Sequence, residues 1–234
     1  MSCNKTPVGA ILVLALLLSS CGLMPQKSGT EQADKTPAAS GKSAADNTTA
    51  ASSGESAEVP FVPIPKPASA NKVDVPDAAR KDFARARQAM QAKHWAEAQT
   101  ILLAMSETYP KLSGVYVNLG IVYQQQDKLD DAEKAYKFAI ETNKTNFDAY
   151  TNLGVLYREQ GKFHEAEATY KAALALWPNH YESRINLGIL YDLYLDEPAL
   201  ALENFKIAQK ILGGEEDKTL QGWIVDLERR VGEK

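Results

Sequence analysis

Cysteine is nearly missing from this chain of 234 residues. Its only two, Cys3 and Cys21, fall within the first 21 positions. Nothing beyond residue 21 can therefore form a disulfide or a thiolate metal site. Histidine is almost as scarce, and His94, His164 and His180 are scattered. No basic stripe appears, and the net charge is −4, which argues against nucleic acid as a partner. A long apolar run is lacking too. The run from Val8 to Leu18 has eleven residues, whereas a spanning helix needs about 20. Catalytic signatures are absent as well. His164-Glu165-Ala166-Glu167-Ala168 begins like a zinc-protease helix but has no second histidine. There is no glycine-rich phosphate loop, no Gly-x-Ser-x-Gly and no cysteine–histidine pair. Acidic runs such as Asp130-Asp131 and Glu215-Glu216-Asp217 read as solvated helix starts and surfaces. The expectation is a protein without catalysis, metal or cofactor.

Lys5 precedes the apolar run, and small residues and a cysteine follow it, as Leu18-Ser19-Ser20-Cys21. The length fits a signal-peptide core rather than a transmembrane helix. This stretch resembles the lipobox of bacterial lipoprotein signal peptides. The resemblance implies a signal over residues 1–20, cleavage before Cys21, thioether lipidation of that cysteine and acylation of the new amino terminus. The alternative is a plain secretory signal ending near a cysteine. Each buried methylene contributes about 0.8 kcal/mol, so one acyl chain holds weakly and two or more hold firmly. A triacylated Cys21 would stay on a membrane without any spanning helix. Gly22, not Asp, comes next. In a Gram-negative source the lipoprotein sorting pattern would then imply the outer membrane, facing the periplasm.

Residues 21–75 are rich in Ala, Ser, Thr, Lys, Gly and Pro, with few large apolar side chains and no period. Such a segment cannot bury enough to offset its ordering entropy, so it is expected to be a disordered tether. Chain of this length has a root-mean-square reach of roughly 40 Å. Prolines 60, 63, 65 and 67 favour polyproline II near its end, either as a stiff spacer or as a ligand for another domain.

Past Val75 the texture becomes helical. Asn118–Tyr123 reads NLGIVY, Asn152–Tyr157 reads NLGVLY and Asn186–Tyr191 reads NLGILY, at intervals of 34 residues. Ala132, Ala166 and Ala201 follow the three glycines by 12, 12 and 13 residues. Tyr136, Tyr170 and Phe205 come four residues later, then Ala139, Ala173 and Ala208 after three more. Ala86, Ala98, Leu102, Met105 and Pro110 form a weaker copy one period earlier. This pattern resembles the tetratricopeptide repeat. The resemblance implies an all-α, right-handed superhelix over 76–215, with units 79–112, 113–146, 147–180 and 181–215. Two departures stand out. Lys144 sits where a unit-closing proline is usual, and one extra residue falls around Leu195–Ala199, with Pro198 in that turn. Gly154 and Ala166 are expected to be small because two helix axes approach there. Leu220, Trp223, Ile224 and Leu227 recur at helical spacing in residues 216–234, which suits a helix capping the open end or docking a partner.

In this repeat family the first helix of each unit lines a concave groove that holds extended peptides or helices. By resemblance the groove would present Asn118, Asn152 and Asn186, beside Val117, Ile121, Thr151, Val155, Arg158, Ile185 and Ile189. An asparagine offers two donors and an acceptor, so one per unit would pair with successive peptide groups of a bound chain. The alternative is that each asparagine bonds locally. Resemblance suggests an envelope-assembly lipoprotein of the kind that pilots type IV pilus secretins. Other readings are an adaptor for cell-wall hydrolases or proteases, or a component alongside an energy-transducing complex. A small-molecule or cell-wall-fragment binder belongs to a different class. Trp177 and Trp223 are expected to be packing anchors.

Overall fold

The computed structural model describes residues 61–69, 73–213 and 217–232, all within one compact unit, Ala57–Lys234. The signal, Cys21 and most of the tether lie outside the described residues. Those residues form helices α1 (Asp77–Gln91), α2 (Trp95–Thr108), α3 (Ser113–Gln125), α4 (Leu129–Thr142), α5 (Phe147–Glu159), α6 (Phe163–Leu176), α7 (Tyr181–Leu193), α8 (Pro198–Ile211) and α9 (Lys218–Gly232). Each helix packs on the next. In addition α3 packs on α5 and α5 on α7, so the first helices of successive units form a layer of their own.

The last three hairpins are each locked by a ring set against a glycine. A Cβ on Gly120 would run into the ring of Tyr136, one on Gly154 into Tyr170, and one on Gly188 into Phe205. All three rings are buried. Gly154 is thus small to seat an aromatic ring, a more specific reason than close helix axes alone. The weak first unit places Ala86 and Leu102 at these positions, both buried. A methyl is added on one side and the facing side chain shrinks to match. Interiors are close-packed, so volume lost at one wall must be supplied at the other.

The turns inside the hairpins share one geometry. His94 donates its N–H to Ala89, Lys128 to Tyr123 and Lys162 to Tyr157, at 2.8–2.9 Å. The preceding residue is left-handed in each case: Lys93 at φ 59°, Asp127 at 60° and Gly161 at 72°. This is a Schellman-type ending of the first helix. In the fourth unit Glu197 donates to Tyr191 at 2.9 Å, with Asp196 at φ 53°. The extra residue is absorbed here, because the equivalent tyrosine carbonyl accepts across a loop one residue longer. Pro198 lies not in the turn but at the start of α8, where its missing N–H costs nothing.

The unit-closing turns also repeat one bond: Leu112 to Tyr109, Asn146 to Asn143 and His180 to Trp177, at 2.9–3.0 Å. Where Lys144 replaces proline, the Asn143 side chain takes over. Its oxygen accepts from the Thr145 N–H at 3.1 Å and the Thr145 hydroxyl at 2.9 Å, an Asx turn. Helix α9 buries Leu220, Ile224 and Leu227 and packs on α8. Trp223 is 40% exposed, with its ring 5.3 Å from that of Phe205.

Residues 61–69 correct the expectation of a free spacer. They run extended against the unit-closing turns. The Trp177 indole donates to the Ile64 carbonyl at 2.8 Å, and the Ser69 hydroxyl to Asn143 at 3.3 Å. Lys66 lies 5.6 Å from the Phe147 ring centroid and 5.9 Å from that of Trp177.

Candidate functional site

The asparagine row is built by the register of α3, α5 and α7. Asn118 donates its side-chain amide to the Gly114 carbonyl at 2.7 Å, Asn152 to Asp148 at 2.7 Å and Asn186 to Glu182 at 2.8 Å. Only the NH₂ group can meet a carbonyl, so these bonds also fix which way each amide points. The local bond and the outward grip are therefore not exclusive. One N–H is spent on the helix's own backbone, which leaves an oxygen and a second N–H. Asn186 additionally accepts from Arg158 at 3.5 Å. All three side chains are half-buried.

A second polar line crosses the same helices, four residues after each glycine. Gln124 accepts from the Tyr136 hydroxyl at 3.1 Å and donates to Glu159 at 2.6 Å. Arg158, one period on, reaches forward to Asn186. Asp192, one period further, is paired with Arg230 of α9 at 2.7 Å. Each of these residues thus bonds to the next first helix or to the cap that takes its place. Arg158 has no acceptor to offer Tyr170, whose buried hydroxyl finds no partner. The α9 cap neutralises Asp192, whereas Arg158 bonds a neutral amide, that of Asn186.

The aliphatic residues divide. Ile121, Ile185 and Ile189 are half-buried and pack against the core, and Thr151 and Val155 are also half-buried. Val117 is 5% exposed and belongs to the core, so it offers a bound chain almost nothing.

Successive units are also clasped by a repeated triad. Glu133 accepts from Lys137 at 2.7 Å and from the Tyr157 hydroxyl of the next unit at 3.0 Å. Glu167 does the same with Lys171 at 2.6 Å and Tyr191 at 2.8 Å. The lysine bonds hold both carboxyls below their usual range, against the opposing effect of burial. These glutamates lock the array.

His180, buried at 4% exposure, caps α7. Its Nδ1 accepts from the Ser183 N–H at 3.3 Å and lies 2.7 Å from the Ser183 hydroxyl. Its Nε2 is 3.1 Å from Glu182. Burial pushes the imidazole pKa down, opposed by Glu182 and Asp148 and assisted by Lys66. Sequence reasoning did not find this cap, because histidine is not a usual N-cap residue. Among the described residues no group of three His, Cys, Asp or Glu is placed to hold a metal. No described helix is long and apolar enough to cross a membrane.

Residues 117–181 and 151–203 match the tetratricopeptide repeat family. No curated protein matches the sequence. Among solved structures, a tetratricopeptide repeat protein from Parabacteroides merdae ATCC 43184 is 22% identical with a TM-score of 0.56. That match covers 66% of this chain and 60% of that one, so the chain spans well under two thirds of this relative's length. Pseudomonas aeruginosa pilF is 21% identical with a TM-score of 0.57, covering 66% and 69% of the two chains. MamA from Desulfovibrio magneticus RS-1 is 14% identical with a TM-score of 0.54, covering 68% and 88%. At these identities the likeness is one of fold. The copied ring-and-glycine hairpins, the layer of first helices and the family match agree that residues 117–203 form tetratricopeptide repeats, an architecture that serves as a scaffold for binding proteins.

Proposed function

We propose that this protein is a lipid-anchored scaffold that holds an extended segment of a partner protein along its concave face and assists assembly of an envelope machine such as a type IV pilus. The asparagine row is the observation that carries this reading. In each of the last three units one amide is fixed to its own helix at 2.7–2.8 Å through its NH₂ group, which leaves its oxygen off that helix's backbone; the Asn186 oxygen is met by Arg158 at 3.5 Å. Peptide N–H groups are the complementary donors, so the row grips a backbone whatever its sequence. Ile121, Val155, Ile185 and Ile189 then discriminate among side chains, and Arg158 favours an acidic one. An acylated Cys21 would confine the groove near the membrane and raise its effective concentration toward envelope partners. The fold likeness to pilF accords with a place beside a pilus. The outer membrane, facing the periplasm, is the location that Gly22 implies for a Gram-negative source.

The test compares capture of partners from envelope by the full chain and by Asn152→Ala/Asn186→Ala. At about 1 kcal/mol for each hydrogen bond lost, capture weakens roughly 30-fold, with the melting temperature nearly unchanged. In parallel, Cys21→Ser should release the chain from the membrane fraction. Equal capture by the double variant would overturn the groove reading, and retention of the serine variant on membranes would overturn the anchor.

A further inference from the structure

The docked segment 61–69 points to a second binding site, separate from the concave face. Four rings gather in the third unit, at the start of α5 and in the turn between α6 and α7. Phe147 lies 5.3 Å from Trp177, 4.9 Å from His180 and 6.4 Å from Tyr150, between ring centroids. Trp177 and His180 are 5.3 Å apart. Three of these rings are nearly covered, whereas Trp177 is only half-buried. Its indole N–H is turned outward, onto the Ile64 carbonyl.

What the segment contributes is telling. Val62 is 78% and Ile64 50% exposed, so burial of their side chains is not what holds it. The contacts are a backbone carbonyl to an indole N–H and a lysine ammonium over two aromatic rings. Pro63, Pro65 and Pro67 bracket both contacts. Proline fixes φ in advance, and polyproline II leaves carbonyls unpaired and outward, ready for an external donor. An aromatic trough that donates to such a carbonyl is the physical requirement for reading a proline-rich strand. The lysine adds selection, because an ammonium over two rings is attracted by both.

We propose that the Phe147–Trp177–His180 trough is a recognition site for an extended Pro-x-Pro-Lys-Pro segment, filled in cis by Pro63–Pro67. A partner bearing a proline-rich, lysine-containing strand binds there by displacing the chain's own. In the filled state the strap ties the tether to the edge of the second and third units. The slack between anchor and array is then set by the residues before the strap. Displacement returns the strap's length to the tether, so partner binding and reach are coupled.

The probe is a synthetic peptide with the sequence of residues 60–69, PFVPIPKPAS. The protein is the full chain labelled with 5-fluorotryptophan, which gives resonances from Trp95, Trp177 and Trp223. A Trp177→Phe variant assigns the Trp177 signal. A second full-length variant has residues 60–67 replaced by glycine and serine. The Trp177 resonance should differ between wild type and the replaced variant, and added peptide should bring the variant back to the wild-type position. Wild type should bind the same peptide at least ten-fold more weakly, because the tethered strap competes at an effective concentration of about millimolar. A peptide with alanine for lysine should bind the replaced variant several-fold more weakly. Removing the indole donor with Trp177→Phe in the replaced variant should abolish the calorimetric heat of peptide binding that the replaced variant itself gives, with its melting temperature read to verify folding. Identical Trp177 resonances in wild type and replaced variant would overturn the proposal. So would failure of the peptide to shift the replaced variant, or equal affinity for both chains.

Discussion

Replacing Gly154 by alanine separates the packing account from simple helix propensity, because the two predict opposite signs. Alanine in a helix interior is favoured over glycine by about 1 kcal/mol. At Gly154 the new Cβ would lie 2.5 Å from Cζ and 2.9 Å from Cδ1 of Tyr170, where carbons prefer about 3.5–4.0 Å. The ring is fully buried and must yield by about an ångström. Overpacking costs about 1–3 kcal/mol, and a rigid ring in a closed site falls at the upper end. The net effect is a loss of about 2 kcal/mol, or about 4–8 °C in melting temperature for an array of this size. Gly222→Ala in α9 is the control. Nothing stands within 4 Å of its Cβ, so propensity acts alone and stability should rise by about 0.5–1 kcal/mol. The first unit supplies the remedy, since Ala86 and Leu102 hold the equivalent positions in one buried cluster. Tyr170→Leu alone should cost about 2 kcal/mol through its cavity. Combined with Gly154→Ala it should cost little more, giving a coupling of about 2 kcal/mol. Urea unfolding of the full chain, followed by helical circular dichroism, measures all four. A Gly154→Ala chain as stable as wild type, or additivity within about 0.5 kcal/mol, refutes the reasoning.

Three further perturbations follow from single features. Lys93 holds a left-handed φ of 59°, a conformation that costs a side-chain-bearing residue about 1–2 kcal/mol. Lys93→Gly should therefore gain about 0.5–1 kcal/mol in urea, after glycine's own entropy cost, and an unchanged or lower midpoint counts against the strain. Arg158→Gln gives the orphaned Tyr170 hydroxyl the acceptor that Gln124 gives Tyr136. That should stabilise by about 0.5–1.5 kcal/mol, and a loss of stability would sink the account. Burial pushes the His180 imidazole pKa down, so the unfolded chain takes its proton first. Its contribution is complete above about pH 6.5 and is lost as pH falls through that value toward the lowered native pKa. Protonation also places a hydrogen on the Nδ1 that caps α7. His180→Asn keeps a capping oxygen without titrating, so its melting temperature should fall less than wild type's between about pH 7 and 5. Equal slopes would refute the assignment.

The repeat was readable because its core is copied. Gly120, Gly154 and Gly188 announce the rings they face, and any neighbour that stacks on this surface must match it. The turns were less readable. Inside the four hairpins the left-handed position is signalled by glycine only at Gly161; Lys93, Asp127 and Asp196 adopt the same backbone under ordinary side chains. Nor does composition separate a free proline-rich segment from a docked one. The bond that docks this one joins residues 113 apart. Along α3, α5 and α7, register identified the asparagines but not their local bonds, which depend on side-chain rotamer rather than spacing. Val117 shares its register with Thr151 and Ile185, yet it is buried while they are half-exposed.

Variation within the copied hexamers locates where the protein can differ from other arrays without unfolding. The glycine, the ring and the buried leucines cannot change singly. The position four residues after each glycine can, and it reads Gln124, Arg158 and Asp192. One neutral, one cationic and one anionic residue stand in one row on the first helices of successive units, α3, α5 and α7. Each bonds forward to the following element, so the row contributes to stacking whatever its charge. Its identity can therefore vary without loss of the forward bond. With Asp192 held by Arg230 and Gln124 by Glu159, Arg158 is the residue that can change partner at least cost. Its bond to Asn186 is the longest of the three, at 3.5 Å. A partner carboxylate reaching Arg158 would free the Asn186 oxygen for a peptide N–H, so charge selection and backbone grip would be gained in the same step.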